Sequence, residues 1–371
     1  KALSITLDPN HVLLDWDRFN NTRMVGTWAD DTTHLPQPTV PARDQKANWT
    51  TYTMAEGLLH NGVRFLNLTA EGQLVAGLHL RSRKAGTYVQ CFDGRWTQPD
   101  SMSPASGPIT AATTQANGTL WAAEHGRIRR IKDGQTTVFT TTQYRHHRSI
   151  AIGKAQLKPN PKANCSISGC VVYDMTTDVQ DRVWLATDNG ISIMDQDAQV
   201  LKHMTTDDGL PGNEVLCMVW QDQDTLWIGT DKGCARFNGD AWSTPDSCPR
   251  GIITALATDT QGTVHIGTYR HGVYTYNGQD TRRIHTYNSR LPHNMITALT
   301  CDNEDRLWVG TGQGLWCMDD QKESTYTTDN SGLLSNHIAD LALGDQSLWI
   351  ATDAGIAKYD LSPASTVALD D

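Results

Sequence analysis

The sequence predicts an all-β fold, a single β-propeller of four-stranded blades running over residues 1–371. Three observations predict it. An eight-residue anchor recurs: Leu307-Trp308-Val309-Gly310-Thr311-Gly312-Gln313-Gly314, Leu226-Trp227-Ile228-Gly229-Thr230-Asp231-Lys232-Gly233, Leu348-Trp349-Ile350-Ala351-Thr352-Asp353-Ala354-Gly355 and Val183-Trp184-Leu185-Ala186-Thr187-Asp188-Asn189-Gly190. Each copy is a short apolar run ended by a turn signal, the pattern of a buried strand that doubles back into a hairpin. With looser copies at Met24, Val75, Trp121 and His265, the anchor position returns at gaps of 51, 46, 63, 43, 38, 43 and 41 residues, against about 40–45 residues for a four-stranded blade.

The other strands follow from the anchor. A return strand comes after each turn, as in Gly314–Asp319, Gly272–Asn277 and Gly355–Asp360. A first strand and an acidic or Gly-rich turn precede it, as in Ile296–Cys301 followed by Asp302–Asp305. A fourth strand closes the unit, as in Arg282–Tyr287. The Met24 copy keeps this register, because Val12 to Thr27 spans the same interval as Ile296 to Thr311. The count is therefore eight blades, with seven plus an irregular N-terminal segment as the alternative. Residues 1–10 read as an outer strand that completes the last blade and closes the ring, and Ser365–Leu369 compete for that place. Residues 11–56 read as blade one, with a loop at Pro36, Pro38 and Pro41 and an outer strand at Trp49–Thr53. Blade two covers about 57–100, with a basic hairpin turn from His79 to Lys84, and blade three about 101–143. An insertion at about 144–165 carries Arg145, His146, His147, Arg148, Lys154, Lys158 and Lys162 and no acidic residue. Blades four to eight fill the remainder.

The chain carries 31 basic and 41 acidic residues, a net charge of −10, which argues against a nucleic-acid backbone as partner. No apolar run approaches the roughly 18 residues of a membrane span. The chain begins at Lys1, as after removal of a leader or trimming. Of the eight cysteines, 217, 234, 301 and 317 fall in strands and read as small buried thiols. Cys165 and Cys170 lie five apart in a loop and suit a short disulfide, and Cys234 with Cys248 is a second pairing. The even count fits an oxidising compartment. No Cys-x-x-Cys is present, which excludes the common zinc and redox motifs.

The links between blades carry a second signal. Asp208-Gly-Leu-Pro-Gly-Asn-Glu-Val215, Ser289-Arg-Leu-Pro-His-Asn-Met-Ile296, Ser331-Gly-Leu-Leu-Ser-Asn-His-Ile338 and Glu56-Gly-Leu-Leu-His-Asn-Gly-Val63 share one form, at a constant interval before the anchor. This combination resembles the two-component-regulator propeller repeat. The resemblance implies a periplasmic or extracellular sensor-type propeller, of a family often fused to a membrane span and a histidine kinase and linked to oligosaccharide sensing. No kinase, membrane span or response-regulator segment lies within this chain, so a free-standing member is expected.

In a propeller the links between blades and the hairpin turns after the anchor strands share the face around the central channel. The links supply His60, Glu214, Arg250, His293 and His337, together with the recurring Asn61, Asn213, Asn294 and Asn336. The turns supply His79, Arg81, Glu124, His125, Tyr269, Arg270 and His271. These groups suit a polar ligand, with amides and carboxylates meeting hydroxyls and Arg or His meeting an anion. The recurring Asn is expected to cap its own turn. Residues that break the repeat are the sharper candidates: Tyr269-Arg270-His271, which adds a residue to the turn, Glu124-His125, and His265 in place of the anchor Trp. The anchor tryptophans are expected to pack between blades, whereas Trp16, Trp28 and Trp316 are open to a binding role. No zincin, nucleophile-elbow or phosphate-loop motif occurs. No cofactor, metal set or catalytic residue is assigned. Three functions remain open: an extracytoplasmic propeller that binds a carbohydrate or other polar ligand, a protein-interaction scaffold contacting its partner through the 144–165 loop, and a propeller lyase or hydrolase with His/Tyr/Arg chemistry.

Overall fold

The computed structural model describes residues 4–6, 22–24, 48–69, 72–78, 89–97, 109–124, 126–141, 143–145, 157–159, 164–169, 171–246, 248–320 and 322–361. The chain divides into two compact units, Lys1–Thr39 and Val40–Asp371. In the first, strand Ser4–Thr6 pairs antiparallel with Thr22–Met24. In the second lie seven four-stranded antiparallel sheets, the blades of a propeller.

Blade one is built from Val63–Leu68, Leu74–Leu78, Val89–Phe92 and Trp96–Thr97. Blade two comprises Ile109–Thr114, Leu120–Glu124, Arg127–Lys132 and Gln135–Thr140. Blades three, four, five and six begin at Val172–Thr177, Val215–Trp220, Ile253–Thr258 and Ile296–Cys301. Blade seven contributes three strands in sequence, Ile338–Gly344, Ser347–Thr352 and Gly355–Asp360. Its fourth is Trp49–Tyr52, paired with Gly355–Asp360 through Trp49↔Tyr359 and Tyr52↔Ile356.

The expectation of eight blades is thus corrected to seven, and the closing strand is not residues 1–10. The Met24 repeat keeps a register but lacks the aromatic anchor, and its strand finds its partner at Ser4–Thr6 instead of in a blade. The sequence reads Trp49–Thr53 as the outer strand of a blade over residues 11–56, and the strand forms at Trp49–Tyr52. It occupies the equivalent place on blade seven, whose own chain supplies only three strands before the described residues end at Leu361. The competing segment Ser365–Leu369 lies outside the described residues. Trp49 packs on Tyr359 (4.9 Å between centroids) and Tyr326 of blade six (5.7 Å). Tyr52 packs on Phe92 and Trp96 of blade one (5.0 and 5.9 Å).

The anchor motif serves the contacts between blades. All five residues of Leu307–Thr311 are buried. Gly310 is required by a close approach: a Cβ there would lie 2.7 Å from Ile338 Cγ2, the first inner residue of the next blade. The acidic turn receives the indole. Asp302 accepts from Trp308 Nε1 at 2.8 Å and from Arg306 Nε at 2.6 Å, and Asp178 repeats this with Trp184 and Arg182. Gln115 and Gln221 take the same role for Trp121 and Trp227. In blade five, where His265 replaces the Trp, Asp259 faces the imidazole at 3.7 Å. Trp316, open to a binding role by sequence, is fully buried and donates to Glu323 at 3.1 Å. Trp16 and Trp28 lie outside the described residues.

Cys234 is bridged to Cys248. Cys165 is a buried free thiol that donates to the Ala198 carbonyl at 3.5 Å, and Cys170 lies outside the described residues. The disulfide closes a short loop of sequence separation 14. Cys248→Ser is expected to lower stability by about 3 kcal/mol, the loop-closure value for that length, read as a lower urea midpoint than the parent under non-reducing conditions. Equal midpoints would show that the bridge does not form in solution.

Candidate functional site

The face that carries the links between blades is woven from backbone hydrogen bonds. In blades three to five each hairpin turn bonds to the entry of its own blade, as Asp188 N to Val171 O, Asp231 N to Glu214 O and Tyr269 N to Ile252 O, all at 3.1 Å. Each also bonds to the following link, as Gly190 N to Asn213 O at 2.6 Å and Gly272 N to Asn294 O at 3.0 Å. Turns and links therefore share one face, as expected.

The recurring residues of that face are structural. Asn61, Asn213, Asn294 and Asn336 each accept, through Oδ1, the N–H of Met54, Thr206, Thr286 and Thr328 at 2.8–3.0 Å, tying the end of the link to its start. Thr311 Oγ1 donates to the Gly314 carbonyl at 2.8 Å and accepts from Gln313 N, and Thr187, Thr230 and Thr352 repeat the bond. His60 and His293 occupy the same link position, and the Nδ1 of each accepts the N–H two residues on, at 2.9 and 3.1 Å. His337 is half-buried and donates its N–H to Ser335 at 3.2 Å. Glu124 departs most from expectation. It is buried at 1% exposure and ion-paired with Arg129 inside blade two, so it is held away from a ligand. His79, Arg81 and His125 lie outside the described residues, as does most of the 144–165 insertion, in which Gln143–Arg145 pairs with Leu157–Pro159.

Two groups of residues remain available. At the junction of blades three and four, Tyr173 donates to Glu214 at 2.7 Å. Desolvation raises the pKa of the adjoining Asp231, Glu214 adds to the rise, and Lys232 opposes it. At blade five the turn is one residue longer. Thr268 Oγ1 still closes on the Gly272 carbonyl at 2.8 Å and now accepts from His271 N at 2.8 Å. The extra residue leaves Arg270 and His271 exposed and Tyr269 half-buried. Arg250 is exposed on the preceding link.

Pattern reading missed two features. Each inner strand is bulged at the same register, skipping Arg64, Thr110, Tyr173, Leu216, Thr254, Thr297 and Ala339. A bulge re-aims a side chain, so this varied set sits at one level of all seven inner strands. One residue further on lie two carboxyls. Asp174 accepts from Met218 N in the next blade at 2.7 Å, and Asp340 from Leu66 N at 2.8 Å. The aligned positions are Phe65, Ala111, Cys217, Ala255 and Ala298, so the two Asp break the repeat, the one signal that could have found them.

Desolvation pushes Asp174 up to about 6 and Asp340 up to about 7, outweighing their backbone hydrogen bonds, and Asp174 adds to the rise at Asp340. Both folded values exceed the ordinary 3.8, so the folded state holds these protons more tightly than the unfolded chain. The stability this lends is full below about pH 4 and is lost as pH rises through 6 and 7. A melting temperature falling between about pH 4 and 7 is expected, with a shallower fall in Asp340→Asn. The same slope in both proteins would refute the assignment.

The fold and its face define a seven-bladed propeller with a polar, non-repeated mouth. Residues 209–232 and 290–313 match the family profile described as Two component regulator propeller. The chain carries two-component-regulator propeller repeats. No curated protein sequence matches it. Among solved structures, it is similar to the extracellular domain of the hybrid two component system BT3049 of B. thetaiotaomicron, at 17% identity and TM-score 0.65, covering 85% of this chain and 42% of that one. It therefore spans less than half of that domain. It is also similar to a catalytically inactive virginiamycin B lyase from Staphylococcus aureus with quinupristin, at 14% identity and TM-score 0.62, covering 84% and 99%. A third is PorZ, a surface component of the type-IX secretion system of Porphyromonas gingivalis, at 19% identity and TM-score 0.56, covering 82% and 47%. At these identities the likeness is one of fold. Among the described residues, no helix is long and apolar enough to cross a membrane.

Proposed function

We propose that the chain is an extracytoplasmic ligand-binding propeller whose mouth takes a carbohydrate or other polar ligand. The observation that carries this reading is the lengthened Tyr269-Arg270-His271 turn. It sets an aromatic, a cationic and a titratable group on a face where the turns of blades three, four, six and seven close on Thr and Gly. The sensor-type repeats support it, as does the extracellular setting of the B. thetaiotaomicron neighbour. The Cys234–Cys248 bridge supports an oxidising compartment.

A thermal-shift screen of the purified chain against oligosaccharides tests this. A ligand at 100 times its Kd adds about 2.7 kcal/mol to the folded state, which raises the melting temperature by several degrees. The shift is expected to vanish in Arg270→Ala/His271→Ala. Analysis of the incubated sugar then separates a binder from a lyase. No shift across neutral, acidic and amino-sugar panels would defeat the binding reading.

A further inference from the structure

We propose that the corner of blade five is a receptor for the anionic group of an acidic oligosaccharide, a uronate carboxylate or a sulfate ester. This rests on the binding reading above and names its ligand class. The chain carries a net charge of −10, yet this corner gathers Arg270 and His271 from the turn and Arg282 and Arg283 from the outer strand Thr281–Ile284. Arg283 Nε donates to the His271 carbonyl at 2.8 Å, which fixes the guanidinium beside the turn and leaves its terminal NH2 groups for a ligand. Its guanidinium carbon lies 5.6 Å from the Tyr274 ring centre, and that of Arg270 lies 5.3 Å from the Tyr269 ring.

Four other arginines are neutralised by a carboxylate. Arg129, Arg130, Arg182 and Arg306 each meet a carboxylate, on Glu124, Asp197, Asp178 and Asp302. Among the described residues no carboxylate pairs with Arg270 or Arg283. The field there is felt by His271, whose pKa is lowered first by desolvation and then by Arg283 and Arg270. Two guanidinium forks, each backed by a tyrosine ring, match the planar oxygens of a carboxylate or the oxygens of a sulfate. The flanking tyrosines offer faces to a sugar ring.

Isothermal titration of the full chain at fixed ionic strength tests the proposal. The probes are trigalacturonic acid, a sulfated carrageenan tetrasaccharide and neutral maltotriose. At least one acidic probe is expected to bind ten times or more tighter than maltotriose, and the comparison of the two tells carboxylate from sulfate. Arg270→Glu and Arg283→Gln are each expected to weaken it at least tenfold. Arg95→Glu, an exposed change on blade one, leaves it unaltered. Matching circular dichroism and melting curves establish that the variants fold. Acidic probes binding no tighter than maltotriose, or full affinity in Arg270→Glu, would overturn the inference. If maltotriose binds and His271→Ala abolishes it, the binding propeller stands and only the anionic assignment falls. If no probe binds, both fall.

Discussion

Replacing Trp49 and Tyr52 together by Ala is expected to cost about 6 kcal/mol, roughly 3 for each half-buried aromatic, and to convert one cooperative unfolding transition into two. The two side chains point to opposite neighbours. Trp49 meets Tyr326 of blade six, and Tyr52 meets Phe92 and Trp96 of blade one. They share no partner, so their losses add. A domain of ordinary stability holds about 5–15 kcal/mol, so the double variant loses most of its margin. Equilibrium urea denaturation followed by tryptophan fluorescence reads this directly. A loss below about 1 kcal/mol would mean that Trp49–Tyr52 does not close the ring in solution.

The second large effect is expected at an anchor. Trp308 is 2% exposed, and Trp308→Ala is expected to cost about 4 kcal/mol, within the range for a core Trp. The indole fills the space between blades six and seven, among Leu315, Ile338, Leu348 and Ile350. Its removal also strips one donor from Asp302 while Arg306 stays. Trp308→Phe keeps most of the volume and loses the N–H bond, so an intermediate loss of about 1–2 kcal/mol is expected. Equal losses in the two variants would show that the hydrogen bond to Asp302, not packing, dominates the site.

The blades were legible because each anchor states its own burial pattern, and because Thr311, Asp302 and Asn294 do the same work in each copy that keeps them. Repetition exposes structural roles. It also misled at the ends of the ring. The register of Val12–Thr27 satisfies the pattern, but register alone buries nothing: strand Thr22–Met24 pairs with Ser4–Thr6 and joins none of the seven blades, whereas Leu74–Leu78, equally without an aromatic anchor, is buried throughout and builds one. The strand Trp49–Tyr52 was visible as an outer strand, whereas its partner, some 300 residues away, leaves no local trace. Within the candidate site, Tyr269-Arg270-His271 was readable as an irregularity, a turn one residue longer that leaves Arg270 and His271 exposed. Glu124 looked alike from sequence, because nothing local announces that Arg129 turns back to meet it. Asp174 and Asp340 escaped notice because an Asp in a strand of mixed polarity resembles any solvent-facing residue, and only the next blade's N–H groups reveal its setting.

The pairing of Trp49 with Tyr359 also sets the order of events during synthesis. Residues 49–52 leave the ribosome before the other strands of the seven blades, and their partner strand emerges after them, so the closing contact cannot form until almost the whole propeller has been made. Such long-range pairing is slow. Until then blades one and seven each hold an apolar flank without a neighbour, and Trp96 and Trp349, which share one core cluster in the finished ring, stay apart. The nascent chain is thus most exposed to aggregation or to exchange of strands with another copy in this interval, and a factor that shields the early strand would govern yield far more than final stability.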